Sequence, residues 1–206
     1  MVRILRRMKL SDIRTAIASD PVNRIFVKKG WKPVYTAHKS ARILIIGQAP
    51  GRLAQESGIP WNDPSGDNLR VWLGITRETF YDERKIALVP MDFFFPGSKG
   101  HGDAPPRKEF AEKWHPLILK NLSNVRLTVL IGQYAQERYL GIRRKETLTE
   151  TVRAYEEYLP NYFPLVHPSP RNNIWQKKNP WFKKLLLPKL QARVDLLLSH
   201  SPRTGP

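Results

Sequence analysis

Four short apolar runs, separated by segments with helical signals, constrain the fold of this chain more than any other feature. The first, Arg42–Ile46, is rich in β-branched residues and is followed by a glycine, which is typical of a fully buried parallel strand. Similar runs recur at Lys85–Val89, Arg126–Ile131 and Tyr162–Val166. Because strands that alternate with helices indicate a parallel sheet covered on both faces, we predict an α/β fold. Its expected architecture is a three-layer α/β/α arrangement with a central four-stranded parallel sheet.

The segments around these runs carry signals for helix starts. Ser11 is a predicted N-cap for the first helix, and Thr147 with Glu150 forms a possible capping box for the fifth. The five predicted helices are Asp12–Ala18, Asp67–Leu73, Arg107–Leu122, Gln133–Tyr139 and Leu148–Tyr158.

A last helix is predicted over Pro180–His200, where Pro188 should start or kink it. Its apolar face comprises Phe182, Leu185, Leu186, Leu190 and Val194. Such a face favours packing against the sheet, and attachment to a membrane surface is the alternative.

Charge and cysteine content narrow the classes of function. The 206 residues include 35 Lys and Arg against 18 Asp and Glu, a formal net charge of +17. This excess favours association with phosphate backbones, although charge that only keeps the protein soluble is the alternative. The chain has no cysteine, which excludes disulfides, thiolate nucleophiles and cysteine-held zinc or iron–sulfur clusters.

Length and hydropathy bear on organisation and location. The length favours one domain, predicted over residues 1–206 with a motif-bearing core at about 40–195. No apolar run approaches the ~20 residues that span a bilayer. The stretch Met1–Arg7 lacks the apolar segment of a signal peptide. We expect a monomer without a membrane partner, located in the cytoplasm or, in a prokaryote, at the nucleoid.

Two loops that follow predicted strands have unusual composition. Gly47–Arg52 contains two glycines and a proline, so its backbone can approach a ligand closely, although turn geometry alone also explains these residues. Val166–Asn173 begins with His167 and two prolines, and a purely structural histidine is the alternative there. Because ligands of parallel sheets bind beyond the carboxyl ends of the strands, we predict that both loops line one site.

The two loops together resemble the signatures of the uracil-DNA glycosylase superfamily. Gly47–Gly51, which reads Gly-Gln-Ala-Pro-Gly, is similar to the first motif of that family, and His167–Arg171, which reads His-Pro-Ser-Pro-Arg, is similar to the second. Ser57–Trp61 resembles the Thr-Gly-Arg-Pro-Phe stretch of the iron–sulfur branch. The resemblance implies a DNA glycosylase that needs no cofactor and hydrolyses the N-glycosidic bond of uracil, or of another deaminated base, flipped out of DNA during base excision repair.

The resemblance also implies roles for residues of the base pocket. His167, neutral or protonated, would hydrogen-bond the base as negative charge develops there, and Gln48 would line the base edge. Trp61 would stack on the base, with core packing as the alternative. Gly51 stands where one branch has a tyrosine that screens out thymine. The predicted substrate-binding residues are Gly47, Ala49, Pro50, Gly51 and Trp61.

A further group is predicted to contact DNA. Ser169 would grip a phosphate. Arg171, at the position of a leucine wedge in relatives, would either fill the vacated base stack or bind phosphate. Trp175 and Trp181 stand among lysines, an arrangement that suits bases and backbone, and core packing is the alternative for both. The predicted DNA-binding residues are Arg52, Ser169, Arg171, Asn172, Lys177 and Lys178.

The chain departs from the family at two positions. Ala49 stands where the strongest family enzymes carry a water-activating aspartate or asparagine, and Pro90 stands where an asparagine commonly reads the base. Asp92, two residues further, is therefore predicted to be catalytic together with His167 and Gln48. It would contact the base or a water, and a turn-capping carboxylate is the alternative.

These departures leave a second hypothesis open, in which the chain is a non-catalytic or nearly inactive nucleic-acid binder that keeps the fold. A metal site is not predicted, because His101 and Asp103 are two possible ligands without a third.

Overall fold

Four parallel strands form the centre of the computed structural model, which describes residues 8–100 and 102–199. The strands are β1 (Ile43–Ile46), β2 (Ile86–Leu88), β5 (Leu127–Ile131) and β6 (Tyr162–Leu165), and a separate hairpin consists of β3 (Ser98–Lys99) and β4 (Gly102–Asp103). Neighbours in the main sheet follow the order β2-β1-β5-β6, and all of its pairs are parallel. The predicted α/β class and four-stranded sheet are confirmed. The first and last residue of each strand lie within one residue of the predicted bounds. The predictions for Met1–Arg7, His101 and His200 lie outside the described residues.

The alternation of side chains along β1 explains the three layers. Leu44 and Ile46 pack into an apolar cluster on one face of the sheet, whereas Ile43 and Ile45 pack into a second cluster on the other face. All four residues are at most 3% exposed. A strand that is buried on both faces has no polar positions, and for this reason its sequence is a continuous apolar run.

Helices cover both faces of the sheet. In chain order the α-helices of the described residues are α1 (Leu10–Ser19), α2 (Arg24–Val27), α3 (Arg52–Ser57), α4 (Pro64–Leu73), α5 (Arg77–Tyr81), α6 (Phe110–Leu119), α7 (Gly132–Leu140), α8 (Leu148–Arg153), α9 (Asn173–Lys178) and α10 (Leu187–Ser199). Short 3-10 turns occupy Pro21–Asn23, Gly141–Arg143, Tyr155–Tyr158 and Pro170–Asn172, and a π turn occupies Phe182–Leu186.

Several predicted helix ends differ from the observed ones. Helix α4 begins at Pro64 and not at Asp67, and α6 ends at Leu119 and not at Leu122. Ser11 is not the N-cap of α1, because the helix begins at Leu10 and Asp12 accepts a hydrogen bond from the Lys9 amide instead. The helix predicted from Arg107 begins only at Phe110, and the Arg107 amide and guanidinium bind Asp92. The helix predicted over Leu148–Tyr158 changes to a 3-10 turn after Arg153. The capping box of Thr147 and Glu150 is confirmed.

The C-terminal helical segment packs on the sheet. Phe182, Leu186, Leu190 and Val194 are buried in the second cluster, whereas Leu185 is 68% exposed and does not belong to the buried face as predicted. Pro188 is the second residue of α10, which directly follows the π turn Phe182–Leu186, so the predicted irregularity at Pro188 is present as a change in the type of helix. Among the described residues, no helix combines the length and the apolar character that crossing a membrane requires.

Candidate active site

An open cleft and a smaller cavity lie side by side at the carboxyl ends of β1 and β6. The outer cleft has a volume of about 870 Å³, and the inner cavity a volume of about 70 Å³. The outer cleft is lined by Gln48, Ala49, Asp63, Pro64, Ser65, Ser98, Gly100, Gly102, Asp103, His167, Ser169, Pro170, Arg171 and Asn172. The inner cavity is lined by Val34, Ala49, Pro50, Gly51, Pro60, Trp61, Asp63, Ser65, Pro90, Asp103 and His167. The two loops predicted to share a site therefore do so.

Five residues line both spaces and so mark the boundary between them, here called the junction. They are Ala49, Asp63, Ser65, Asp103 and His167. A nucleotide whose base entered the inner cavity while its sugar and phosphate stayed in the outer cleft would place its glycosidic bond at the junction. The chemistry of the junction residues therefore matters most.

His167 is held in one orientation by its own loop. The Ser169 amide donates a hydrogen bond to His167 Nδ1 at 3.2 Å. Because Nδ1 is the acceptor, the neutral ring carries its proton on Nε2, which can donate to a ligand. Burial lowers the pKa of His167, and the nearby Asp63 carboxylate opposes that shift in part. The neutral imidazole is therefore the form that the site favours.

Two asparagines fasten the His167 loop. Asn172 Nδ2 donates to the His167 carbonyl oxygen at 2.6 Å, and Asn68 Nδ2, from α4, donates to the Pro168 carbonyl oxygen at 2.9 Å. Ser169 Oγ accepts the Arg171 amide and thereby begins the turn Pro170–Asn172. These contacts give Asn172 a structural task inside the cleft, beside its predicted contact with DNA.

Trp61 forms one wall of the inner cavity in a strained conformation. Its φ angle is 57°, in the left-handed region that non-glycine residues rarely adopt. Two glycines make this position possible: a Cβ on Gly66 would lie 1.8 Å from the Trp61 carbonyl oxygen, and a Cβ on Gly47 would lie 2.7 Å from Trp61 Cζ2. The Trp61 and His167 rings have centroids 5.9 Å apart. Gly47 therefore serves the site by making room for the indole.

Replacement of Gly47 with alanine tests this packing. The added methyl group would overlap the Trp61 ring, so we expect a loss of about 1 to 3 kcal/mol in the free energy of unfolding, measured by urea denaturation. Combining Gly47→Ala with Trp61→Phe removes the outer ring of the indole and should recover most of that loss. Equal destabilisation in the single and double variants would contradict this packing.

Gln48 lines the outer cleft and not the inner cavity. Its Nε2 donates to the Ala104 carbonyl oxygen at 2.8 Å. The Ala104 amide in turn donates to the Gly97 carbonyl oxygen at 2.8 Å, which closes the base of the β3–β4 hairpin. In this structure the Gln48 side chain therefore holds the hairpin that forms one edge of the cleft.

Asp92 lies behind the site. Its side chain is fully buried, and both of its oxygens accept from the Arg107 guanidinium, with Nε to Oδ2 at 2.6 Å and Nη2 to Oδ1 at 2.7 Å. The amides of Phe94 and Arg107 also donate to this carboxylate. Asp92 lines neither the inner cavity nor the outer cleft. The geometry is that of a structural ion pair which fastens the end of the hairpin loop.

Pro90, at the position of the family's base-reading asparagine, does line the inner cavity. Its carbonyl oxygen is bound by His115 Nε2 at 2.8 Å. His115 Nδ1 contacts the Tyr139 hydroxyl, and burial lowers the pKa of His115 to about 4. None of the described residues that line the inner cavity carries a side-chain amide, so the polar groups at this wall are those of the backbone.

The remaining predicted DNA contacts lie outside both cavities. Arg52 is 72% exposed and pairs loosely with Glu56, while Lys177 and Lys178 are exposed on α9. Trp175 and Trp181 pack edge-on against Phe182 in the second cluster, as the core-packing alternative holds.

Sequence reasoning missed the acidic residues of the junction. Asp63 was detectable, because an Asp-Pro pair that precedes a helix is a typical start signal, and Asp63 is indeed the N-cap of α4. Asp103 was weighed only as a metal ligand. Among residues 8–100 and 102–199, no group of three or more His, Cys, Asp or Glu side chains is placed to hold a metal ion. Ser65 and Asn68 carried no sequence signal.

A comparison with protein families agrees with this geometry. The family model described as the uracil DNA glycosylase superfamily matches residues 33–191. The matched segment includes both loops, the wall formed by Trp61 and the β3–β4 hairpin.

Proposed function

We propose that this chain, which belongs to the uracil DNA glycosylase superfamily, hydrolyses the N-glycosidic bond of uracil or a related deaminated base that has been flipped out of DNA. The observation that carries the proposal is the division of the site into an inner cavity and an outer cleft that share His167 as a lining residue. A base inside a duplex cannot reach such a cavity, so the nucleotide must leave the stack first.

The inner cavity supplies hydrogen-bond donors for a departing base. His167 offers Nε2–H, and the amides of Ala49 and Gly51 make no hydrogen bond to any described residue. When the glycosidic bond breaks, negative charge moves onto the base, and fixed donors stabilise that charge without reorganisation. A neutral histidine can perform this task because it retains a proton on Nε2.

The size of the inner cavity favours a single-ring base. Its volume of about 70 Å³ is smaller than any base requires, so a base can enter only if the lining side chains move apart, and a two-ring base needs the larger movement. We therefore expect uracil to be released faster than the two-ring bases hypoxanthine and xanthine. Trp61 provides a flat apolar wall on which such a ring can stack.

DNA binding is supported by the charge of the chain and by the residues of the outer cleft. The net charge of +17 favours a polyanion, and Ser169 and Arg171 line the cleft where the sugar and phosphates would lie. The fold places Arg171 on the turn after His167, close enough for its charge to affect Asp103. An arginine at this point can bind phosphate or fill the vacated stack.

Incubation with oligonucleotides tests the function. Single- and double-stranded DNA containing one uracil, hypoxanthine or xanthine is incubated with the protein, treated with alkali and examined for strand scission. We expect scission with uracil, and binding that weakens steeply as salt rises. Salt-dependent binding without scission on any substrate would support the alternative of a non-catalytic binder.

A further inference from the structure

Ala49 stands at the position where the strongest enzymes of the family carry the carboxylate or amide that orients or activates water. Hydrolysis builds positive charge on the sugar and requires a water that is oriented and loses a proton, and a methyl group does neither. We infer that Asp63 and Asp103 together supply this function, as a pair of catalytic carboxylates at the junction. This inference rests on the proposed function, and it assigns the water-orienting group of that same site.

The position of the two carboxylates carries the inference. Both residues line the inner cavity and the outer cleft, as Ala49 and His167 do. A Cβ placed on Gly51 would lie 3.3 Å from Asp63 Oδ2 and 3.7 Å from Asp103 Oδ2, so both oxygens surround one point beside the first loop. The side chain that Gly51 lacks would occupy the space between them. A water or a sugar can occupy it instead.

Asp63 is the more rigid member of the pair. It is the N-cap of α4, and its Oδ1 accepts the Gly66 amide at 2.8 Å. The helix therefore fixes the carboxylate, while Oδ2 remains directed toward the space beside Gly51. Such preorganisation is what a group needs in order to orient a water at the start of a reaction.

Asp103 reaches the same point from the β3–β4 hairpin. It pairs with Ser98 in the hairpin, and the next residue, Ala104, is held by Gln48. Burial raises the pKa of Asp103, the Arg171 guanidinium lowers it and the Asp63 carboxylate raises it again. The charged groups around Asp103 thus include Arg171 and Asp63, and Asp63 also faces His167.

The reaction balances with these groups. As the bond between the sugar C1′ and the base nitrogen breaks, its electron pair leaves with the base, whose negative charge His167 Nε2–H stabilises. The water held by Asp63 and Asp103 bonds to C1′ and passes a proton to a carboxylate. That proton is then released, and the base anion takes up one from solvent, which leaves free base and an abasic sugar bearing a hydroxyl.

Single-turnover release of uracil from a single-stranded oligonucleotide tests the pair. The variants are Asp63→Asn, Asp103→Asn and their combination, with Glu83→Gln as the control for charge, because Glu83 is exposed and lies outside both cavities. Asparagine caps helices as well as aspartate does, so α4 should keep its start. Asp63→Ser also retains the cap and removes any amide that would still orient a water.

We expect Asp63→Asn and Asp63→Ser to slow release about 100-fold, Asp103→Asn about 10-fold, and the combination at least as much as Asp63→Asn alone. Affinity for uracil-containing DNA should stay equal or increase, because negative charge is removed next to a phosphate backbone. In Asp103→Asn the acidic limb of the profile of rate against pH should change. A purely structural role of Asp103 would leave that limb unchanged.

Two results would overturn the inference in different ways. Rates within about threefold of wild type in all the aspartate variants would refute the carboxylate pair while leaving the glycosylase function intact. A wild-type protein that releases no base from any substrate would refute both.

Discussion

His167→Ala is expected to slow the release of uracil by about 100- to 1000-fold, the usual effect of removing one fixed donor to a developing anion. The variant loses the Nε2–H of a side chain that lines the junction, whereas the amides of Ala49 and Gly51 remain. DNA affinity should change little, because the phosphate contacts assigned to Ser169 and Arg171 are retained. The measurements are single-turnover rates and fluorescence anisotropy with labelled oligonucleotides.

The chain provides a matched control in His38. The Ser40 amide donates to His38 Nδ1 at 3.2 Å, the same local contact that the Ser169 amide makes with His167. His38 lines neither the inner cavity nor the outer cleft. His38→Ala should therefore leave the rate unchanged. Equal losses in the two variants would mean that the histidine acts through loop structure and not through the base.

Asp92→Ala is expected to remove about 3 to 5 kcal/mol from the free energy of unfolding, because it leaves the Arg107 guanidinium, whose side chain is 29% exposed, with Asn23 but without its carboxylate. The Asp92 carboxylate accepts from three groups of Arg107 and from the Phe94 amide. Arg107 also packs against Phe110, with 4.3 Å between the guanidinium carbon and the ring centroid. Urea denaturation measures the loss.

A more exposed ion pair gives the comparison. Arg52 pairs with Glu56, and the two side chains are 72% and 53% exposed, so Glu56→Ala should cost less than about 1 kcal/mol. Asp92→Asn keeps one accepting oxygen but places an NH2 group against the donors of the other, so it should lose part of this stability. We expect the folded Asp92→Asn protein to release uracil within a few-fold of the wild-type rate. A 100-fold slower rate in the folded variant would assign Asp92 a direct role in the reaction.

The elements of the fold could be read from the sequence because their signals are local. A buried parallel strand needs about four or five consecutive apolar residues, and the run Arg42–Ile46 contains four of them. The capping box of Thr147 and Glu150 is likewise a contact between residues three positions apart. The helix start predicted at Arg107 was wrong because a distant residue, Asp92, binds the Arg107 amide and guanidinium.

The alternatives that the sequence left open have different outcomes. His167 favours the neutral form because it is buried and because the Ser169 amide donates to Nδ1. Neither feature can be read from the sequence. Whether Trp61 belongs to the core or to a pocket depends on Gly47 and Gly66, because their missing side chains make the space that the indole and its carbonyl occupy.

The sequence alone determined the layered sheet and the two loops at its carboxyl edge, because periodicity and turn residues act over a few positions. The strand order β2-β1-β5-β6 came from the tertiary structure. Only the tertiary structure decided which acidic residues face the ligand. Asp63 and Asp103 come from a helix start and a hairpin forty residues apart, and folding alone brings their oxygens to the point beside Gly51. The same folding turns Asp92 away from the cavity, since a buried carboxylate is stable only where a partner such as Arg107 satisfies its charge.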